Sequence, residues 1–242
     1  MNYKKYTLCP RELLIYGAIY FLIISTVSYL FYYSFIPILL FSPGILVYFK
    51  YLRNVLKQRQ DKNISLQFKD FINTISSLLS TGYSLENAIA ESRKELYSIH
   101  GNSIIITELD QMIKKLALHI SPEEIFTDFA SRTDIEDIKN FAEILSIAKQ
   151  TGGDLIHIIL STSSSISARI ELRRDIDTAI SGRKYELWVM SFMPILIMLY
   201  IKLTQPDFFN PVYGNMAGIM IMSLCLIIYG SAIVSGCKII SS

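Results

Sequence analysis

Charged residues are missing from a long stretch of the sequence, with none between Leu13 and Phe49. A membrane-spanning helix needs about 20 apolar residues, so this tract is nearly twice as long as one span. We predict two spans, at about 13–32 and 36–50, joined by a tight turn near Ser34 and Pro37. Two alternatives stay open: a cleaved signal peptide, and one span followed by a re-entrant piece.

Cysteine is scarce, and the residues that carry most chemistry are scattered. Cys9, Cys225 and Cys237 have no paired spacing, which argues against a disulfide framework or a zinc site. No H-E-x-x-H motif occurs. The predicted spans lack Asp, Glu, His and Arg, groups that transporters, proton channels and intramembrane peptidases usually place at depth. We therefore expect no catalytic residue, no cofactor and no metal.

The overall composition is that of an integral membrane protein. Of the 242 residues, 51% are hydrophobic and 18% are charged. The net charge is only +2, which does not suggest binding to nucleic acid. Further apolar runs predict a third span at Leu187–Leu203, which Pro194 is expected to kink, and a fourth at Met216–Cys237.

Basic residues indicate how the spans are oriented. They cluster beside the polar middle of the chain, whereas the loop between the last two spans carries none beyond Lys202. Since basic residues favour the cytoplasmic side, we expect a cytoplasmic middle block and cytoplasmic termini. The long stem of Lys202 is expected to reach the outer headgroups.

The polar middle block shows helical periodicity and no strand alternation, and it predicts about six short helices. Gly82 is expected to end the first helix and Ser84 to cap the second. Ser121, followed by Pro122, predicts another helix start, and Thr133 predicts a capping box for the fifth helix. The turn Thr151-Gly152-Gly153-Asp154 should separate the fifth helix from the sixth.

These observations predict an all-α, polytopic membrane protein with a cytoplasmic six-helix bundle between two transmembrane hairpins. The sixth helix should continue past Gly182 into the third span. The predicted segments are a cytoplasmic N-terminus at 1–12, a hairpin at 13–50, the bundle at 51–185, a second hairpin at 186–238 and a tail at 239–242.

Two features have both a functional and a plainer interpretation. Gly152 and Gly153 could cradle a phosphate, but Asp154 places a carboxylate at that position and no Gly-Lys-Ser/Thr ending follows, which favours a structural turn. A group of arginines on the sixth helix could contact an acidic partner or anionic lipid, or could simply form a solvated face beside the membrane. Its members are Arg169, Arg173, Arg174 and Arg183.

Two motifs resemble the F-domain family of type II secretion. The segment Leu78–Ile89 is similar to the family's L-L-x-x-G-x-S-L-x-x-A-L pattern, and Gln150–Leu155 is similar to its G-G-x-L turn. A single copy of the domain is most similar to the membrane proteins of Tad/Flp pilus systems. The resemblance implies a platform in the bacterial or archaeal inner membrane. This platform is expected to work with a hexameric cytoplasmic assembly ATPase, a sister F-domain protein or itself, pilin subunits and membrane lipids.

Two other classes of function remain as alternatives. One is a membrane-anchored signalling or scaffold protein whose helical block dimerises. The other is a small-molecule transporter, which would need a polar path through the spans.

Overall fold

The computed structural model describes residue 3 and residues 10–32, 44–151, 155–205, 208, 213 and 215–241. Within these ranges the chain forms eight helices and no strand, which confirms the all-α prediction. The helices are α1 (Pro10–Tyr32), α2 (Gly44–Ser80), α3 (Leu85–His100), α4 (Ile104–Ala117), α5 (Pro122–Arg132), α6 (Glu136–Thr151), α7 (Leu155–Thr204) and α8 (Met216–Ser241).

Among the described residues, three helices are long and apolar enough to cross a membrane: Pro10–Tyr32, Met216–Gly236 and the helix that contains Ile156–Thr204. They include the predicted first, third and fourth spans, so the chain is a polytopic membrane protein. The predicted second span at 36–50 lies partly outside the described residues and stays a prediction. Its last residues belong to α2, which begins at Gly44 and continues to Ser80 as one helix.

The helices divide into two compact units. The first contains Tyr3 and Arg53–Arg174, and the second contains the described residues of Leu8–Leu52 and Asp175–Ser242. The boundaries predicted from sequence, with a bundle at 51–185, remain predictions in detail. Both α2 and α7 carry residues of each unit, so two helices connect the units without a loop.

Phenylalanine side chains form the centre of the first unit. Five of them, contributed by α2, α5 and α6, are at most 1% exposed: Phe68, Phe71, Phe126, Phe129 and Phe141. The rings of Phe126 and Phe141 pack edge to face with their centroids 5.0 Å apart. Such contacts add to the hydrophobic stabilisation that burial of each ring provides. Phe68 and Phe71 lie three positions apart on one face of α2, which agrees with the helical periodicity predicted for the middle block.

Glycine and serine residues end and begin the bundle helices as predicted. Gly82 has φ +93°, a conformation that disfavours residues with a Cβ atom. The Tyr83 N–H donates to the Leu78 carbonyl oxygen, and the Gly82 N–H donates to the Leu79 carbonyl oxygen. This is a Schellman motif at the end of α2. Ser84 then caps α3 by accepting a hydrogen bond from the backbone N–H of Asn87 at 3.4 Å.

The two helix starts predicted at Ser121 and Thr133 have different outcomes. Ser121 accepts from the Glu124 N–H at 3.4 Å and Pro122 opens α5, as predicted. Thr133 does not cap the next helix, so that prediction was wrong. It lies at the C-cap of α5, and its hydroxyl donates back to the carbonyl oxygens of Phe129 and Ala130, both at 3.3 Å. Helix α6 begins later, at Glu136, because the Thr133 hydroxyl serves the preceding helix.

In the second unit, side chains from distant segments cap the end of α1. Lys202 donates from Nζ to the Tyr29 carbonyl oxygen at 2.8 Å and lies 3.6 Å from the centre of the Tyr29 ring. The Tyr213 hydroxyl donates to the Leu30 carbonyl oxygen. The last carbonyl groups of a helix lack partners within it and favour a nearby cation. Lys202 and Tyr213 thus contact the end of α1, and the expected reach of the Lys202 stem to the headgroups stays a prediction.

Candidate functional site

Helix α7 is the element on which the candidate site is built. It is continuous for 50 residues from Leu155 to Thr204, a length of about 75 Å at the usual helical rise. Neither Gly182 nor Pro194 interrupts it. The prediction that one helix runs from the polar block into the third span is therefore confirmed. A rotation or shift of its first half has no flexible loop in which to be absorbed.

A buried carboxylate holds two of the predicted arginines. Asp137, in the first turn of α6, has a fully buried side chain. Arg169 contacts one of its oxygens at 3.4 Å and Arg173 contacts the other at 3.2 Å. A carboxylate near a helix N-terminus is also favoured by the helix dipole. The two arginines remain about half exposed, at 48% and 55%, so each retains an outer face that solvent or a partner can reach.

The other two predicted arginines lie further along α7. Arg174 and Arg183 are both exposed. Arg183 precedes the apolar run at Leu187 by about one helical turn, which is within reach of lipid headgroups. Contact with lipid or with a partner stays a prediction for all four arginines.

Hydrogen bonds join α7 to α2 across a polar seam. The Asn73 amide oxygen accepts from the hydroxyl groups of Ser163 and Ser167, each at 2.9 Å. Lys69 and Glu171 form a looser ion pair at 3.7 Å along the same two helices. Apolar side chains of α7, including Ile166 and Ile170, enter the bundle core beside this seam. The helix that leads to the membrane is thus fixed to the bundle by both polar and apolar contacts.

A second buried ionic group lies between α4 and α5. The fully buried Glu108 carboxylate accepts two hydrogen bonds from Arg132, at 2.7 and 2.6 Å. These bonds raise the pKa of Arg132 above its ordinary value. Arg132 also contacts Asp128, which receives a further hydrogen bond from Lys115 at 2.5 Å. Burial would raise the pKa of Asp128, but these cations together lower it.

The sequence predictions missed these acidic anchors, although one carried a signal. Glu108 lies on the same helical face as Ile105, Leu109 and Met112, which are all buried. A charged residue on an apolar stripe indicates a buried ion pair. In the sequence, Asp137 resembles the acidic residue that often occupies the first turn of a helix. Its burial could not be recognised, because its arginine partners are more than 30 residues away in the sequence.

The family-motif turns are only partly described. Gly82 and Ser84 form the surface turn between α2 and α3, in the structural role predicted for them. Gly152, Gly153 and Asp154 lie outside the described residues. Helix α6 ends immediately before them and α7 begins immediately after them, at Leu155.

A bundle of short helices, joined by uninterrupted helices to apolar spans, defines the class as an all-α polytopic membrane protein. The sequence model of the family "Type II secretion system (T2SS), protein F" matches residues 71–201, which is more than half of the chain. This chain belongs to that family of membrane platform proteins. The match runs from α2 to the apolar part of α7 and confirms the resemblance seen in the motifs. No curated protein and no solved structure matches the chain significantly.

Proposed function

We propose that this protein is an inner-membrane platform of a Tad/Flp-like pilus or a type II secretion machine. In this proposal the bundle is cytoplasmic and meets a hexameric assembly ATPase. The spans assist the extraction of pilin subunits into a growing filament. A sister F-domain protein or a second copy of this chain completes the platform.

The continuity of α7 is the observation that carries this proposal. Its first half is held in the bundle by Asp137 and Asn73, and its second half is an apolar candidate span. Work done on the bundle by a partner therefore has a direct covalent route into the membrane. This arrangement suits a protein that transmits force and performs no chemistry of its own.

Charge supports the proposed placement of the bundle. Arg183 and Lys184 lie just before the apolar run, and Lys50 and Arg53 occupy α2 just after the first apolar tract. Inserting one such residue at the centre of a membrane-spanning helix costs about 2.5–3.5 kcal/mol, and basic residues beside spans favour the cytoplasmic side. Anionic lipids would then neutralise part of the excess positive charge.

The transmission step can be tested by breaking α7 between the bundle and the span. Ala179 is an exposed residue of α7, so Ala179→Pro should disrupt the helix without removing a buried contact. Proline in a helix interior costs about 3 kcal/mol and introduces a kink. We expect loss of filaments or secretion while the protein still reaches the membrane and still co-purifies with the ATPase. Ala179→Ser is the matched control and should retain activity.

A deletion strain tests the assignment itself. If filaments and secreted proteins remain at normal levels without this chain, the platform assignment is wrong. Normal assembly combined with a lost regulatory response would instead favour a membrane-anchored signalling protein. Normal assembly by the Ala179→Pro variant, with its helix shown to be broken, would contradict only the transmission step.

A further inference from the structure

Tyr3, which precedes the first span, lies in the core of the bundle. Its side chain is only 7% exposed and belongs to the same buried cluster as the central phenylalanines. Its hydroxyl donates to Glu108 Oε1 at 2.7 Å, and its backbone N–H donates to the Arg132 carbonyl oxygen at 3.0 Å. The residue is thus held by one side-chain and one main-chain hydrogen bond to α4 and α5.

The groups around Tyr3 form a specific binding site. Glu108 is fully buried, and a buried carboxylate needs several donors to offset its desolvation. Arg132 supplies two and the Tyr3 hydroxyl supplies another. The Tyr3 phenol is protonated at neutral pH and can donate; burial, followed by the hydrogen bond to Glu108, raises its pKa further. The site therefore selects an aromatic ring that bears a hydroxyl group.

We propose that Tyr3 anchors its end of the chain to the bundle, between α4 and α5, and so holds that end on the bundle's side of the membrane. Helix α1 is a candidate span. If Tyr3 and the bundle share one side, the chain crosses the membrane an even number of times between Tyr3 and the bundle. The tract between Tyr32 and Arg53 must then provide a second crossing, and the uncharged run that ends at Phe49 supplies its residues.

Site-specific photocrosslinking in native membranes tests the docking directly. A benzoyl-phenylalanine placed at position 4, which leaves Tyr3 in place, should crosslink to peptides of α4 and α5, and the same probe at Tyr16, within the first candidate span, should not. Tyr3→Phe keeps the ring but removes the donor to Glu108. A hydrogen bond to a charged group stabilises the fold more than a bond between neutral groups does, so its loss lowers the local stability. Amide hydrogen exchange around Glu108 should therefore accelerate by about tenfold to a hundredfold.

Sidedness is tested with cysteine labelling in a variant in which Cys9, Cys225 and Cys237 are replaced by serine. An impermeant maleimide should label Asn2→Cys and Ser98→Cys from the same side of sealed vesicles. Ser98 is an exposed bundle residue. Labelling from opposite sides, or no crosslink from position 4 to α4 or α5, would overturn the proposal. These measurements require no secretion or filament assay, so their outcome is independent of the proposed function.

Discussion

Removing the Arg132 guanidinium should destabilise the bundle more than any single surface change. Arg132→Met keeps the apolar stem but leaves the Glu108 carboxylate buried, with Tyr3 as its remaining donor among the contacts described above. Removing one partner of a buried ion pair costs about 3–5 kcal/mol, because the other charge stays in a low-dielectric environment. A typical domain is stable by about 5–15 kcal/mol, so a large share would be lost.

Hydrogen exchange of the full chain in detergent is a suitable assay, because it resolves stability locally. Exchange of the α4 and α5 amides should accelerate in Arg132→Met, whereas the span of α8 should be unchanged. The matched control is Lys94→Met, which breaks an exposed pair with Glu91 at 2.9 Å. Exposed pairs on one helix contribute about 0.2–0.5 kcal/mol, so this control should be nearly neutral.

A double variant distinguishes the loss of the pair from a general loss of packing. Replacing both Glu108 and Arg132 by methionine removes the stranded charge and should recover much of the stability. The reasoning is refuted if Arg132→Met changes the free energy of opening by less than about 0.5 kcal/mol, the usual range of surface substitutions. It is also refuted if the double variant is less stable than Arg132→Met.

Three further changes have expected outcomes that follow from the described contacts. Phe141→Ala should cost about 3–5 kcal/mol in bundle unfolding, since it removes a fully packed ring; a loss below 1 kcal/mol would contradict this. Gly82→Ala should destabilise the protein by about 1–2 kcal/mol through its positive φ alone, because no atom lies within 4 Å of the added Cβ. Gly182→Ala, in the interior of α7, should instead stabilise it by about 0.5–1 kcal/mol. Equal effects of the two changes would disprove the conformational argument. Burial would raise the pKa of Glu123, but Lys149 at 2.7 Å and neighbouring hydrogen bonds lower it overall. The stability that ionised Glu123 contributes is therefore present above about pH 4.3 and is lost as the pH falls through its folded-state pKa. An acid-unfolding curve that Glu123→Gln leaves unchanged would count against this prediction.

Local patterns in the sequence were sufficient for much of the fold. Long uncharged runs located three of the candidate spans, because a charge in hydrocarbon is costly wherever the chain folds. Gly82, Ser84 and Ser121 marked real helix ends, since capping is a contact between residues close in sequence. The family resemblance rested on the same kind of short segment.

Local patterns failed where a side chain had two possible partners. Thr133 had the sequence context of an N-cap, yet its hydroxyl serves the helix before it. Ser103 precedes α4 but makes no capping bond with its side chain. Gln67 of α2 instead accepts from the Ile105 N–H at 3.2 Å. The choice between such partners depends on which helix packs alongside, and spacing in the sequence does not contain that information.

The sequence by itself determined the helical character, the apolar spans and the family, because each depends on residues within a few helical turns. Only the tertiary structure decided which charges are buried and which residues they pair with. Tyr3 meets Glu108 across 105 positions, and Asp137 meets Arg173 across 36. The physical reason is that a buried charge must be paired, whereas the identity of its partner is set by the packing of helices distant in the chain.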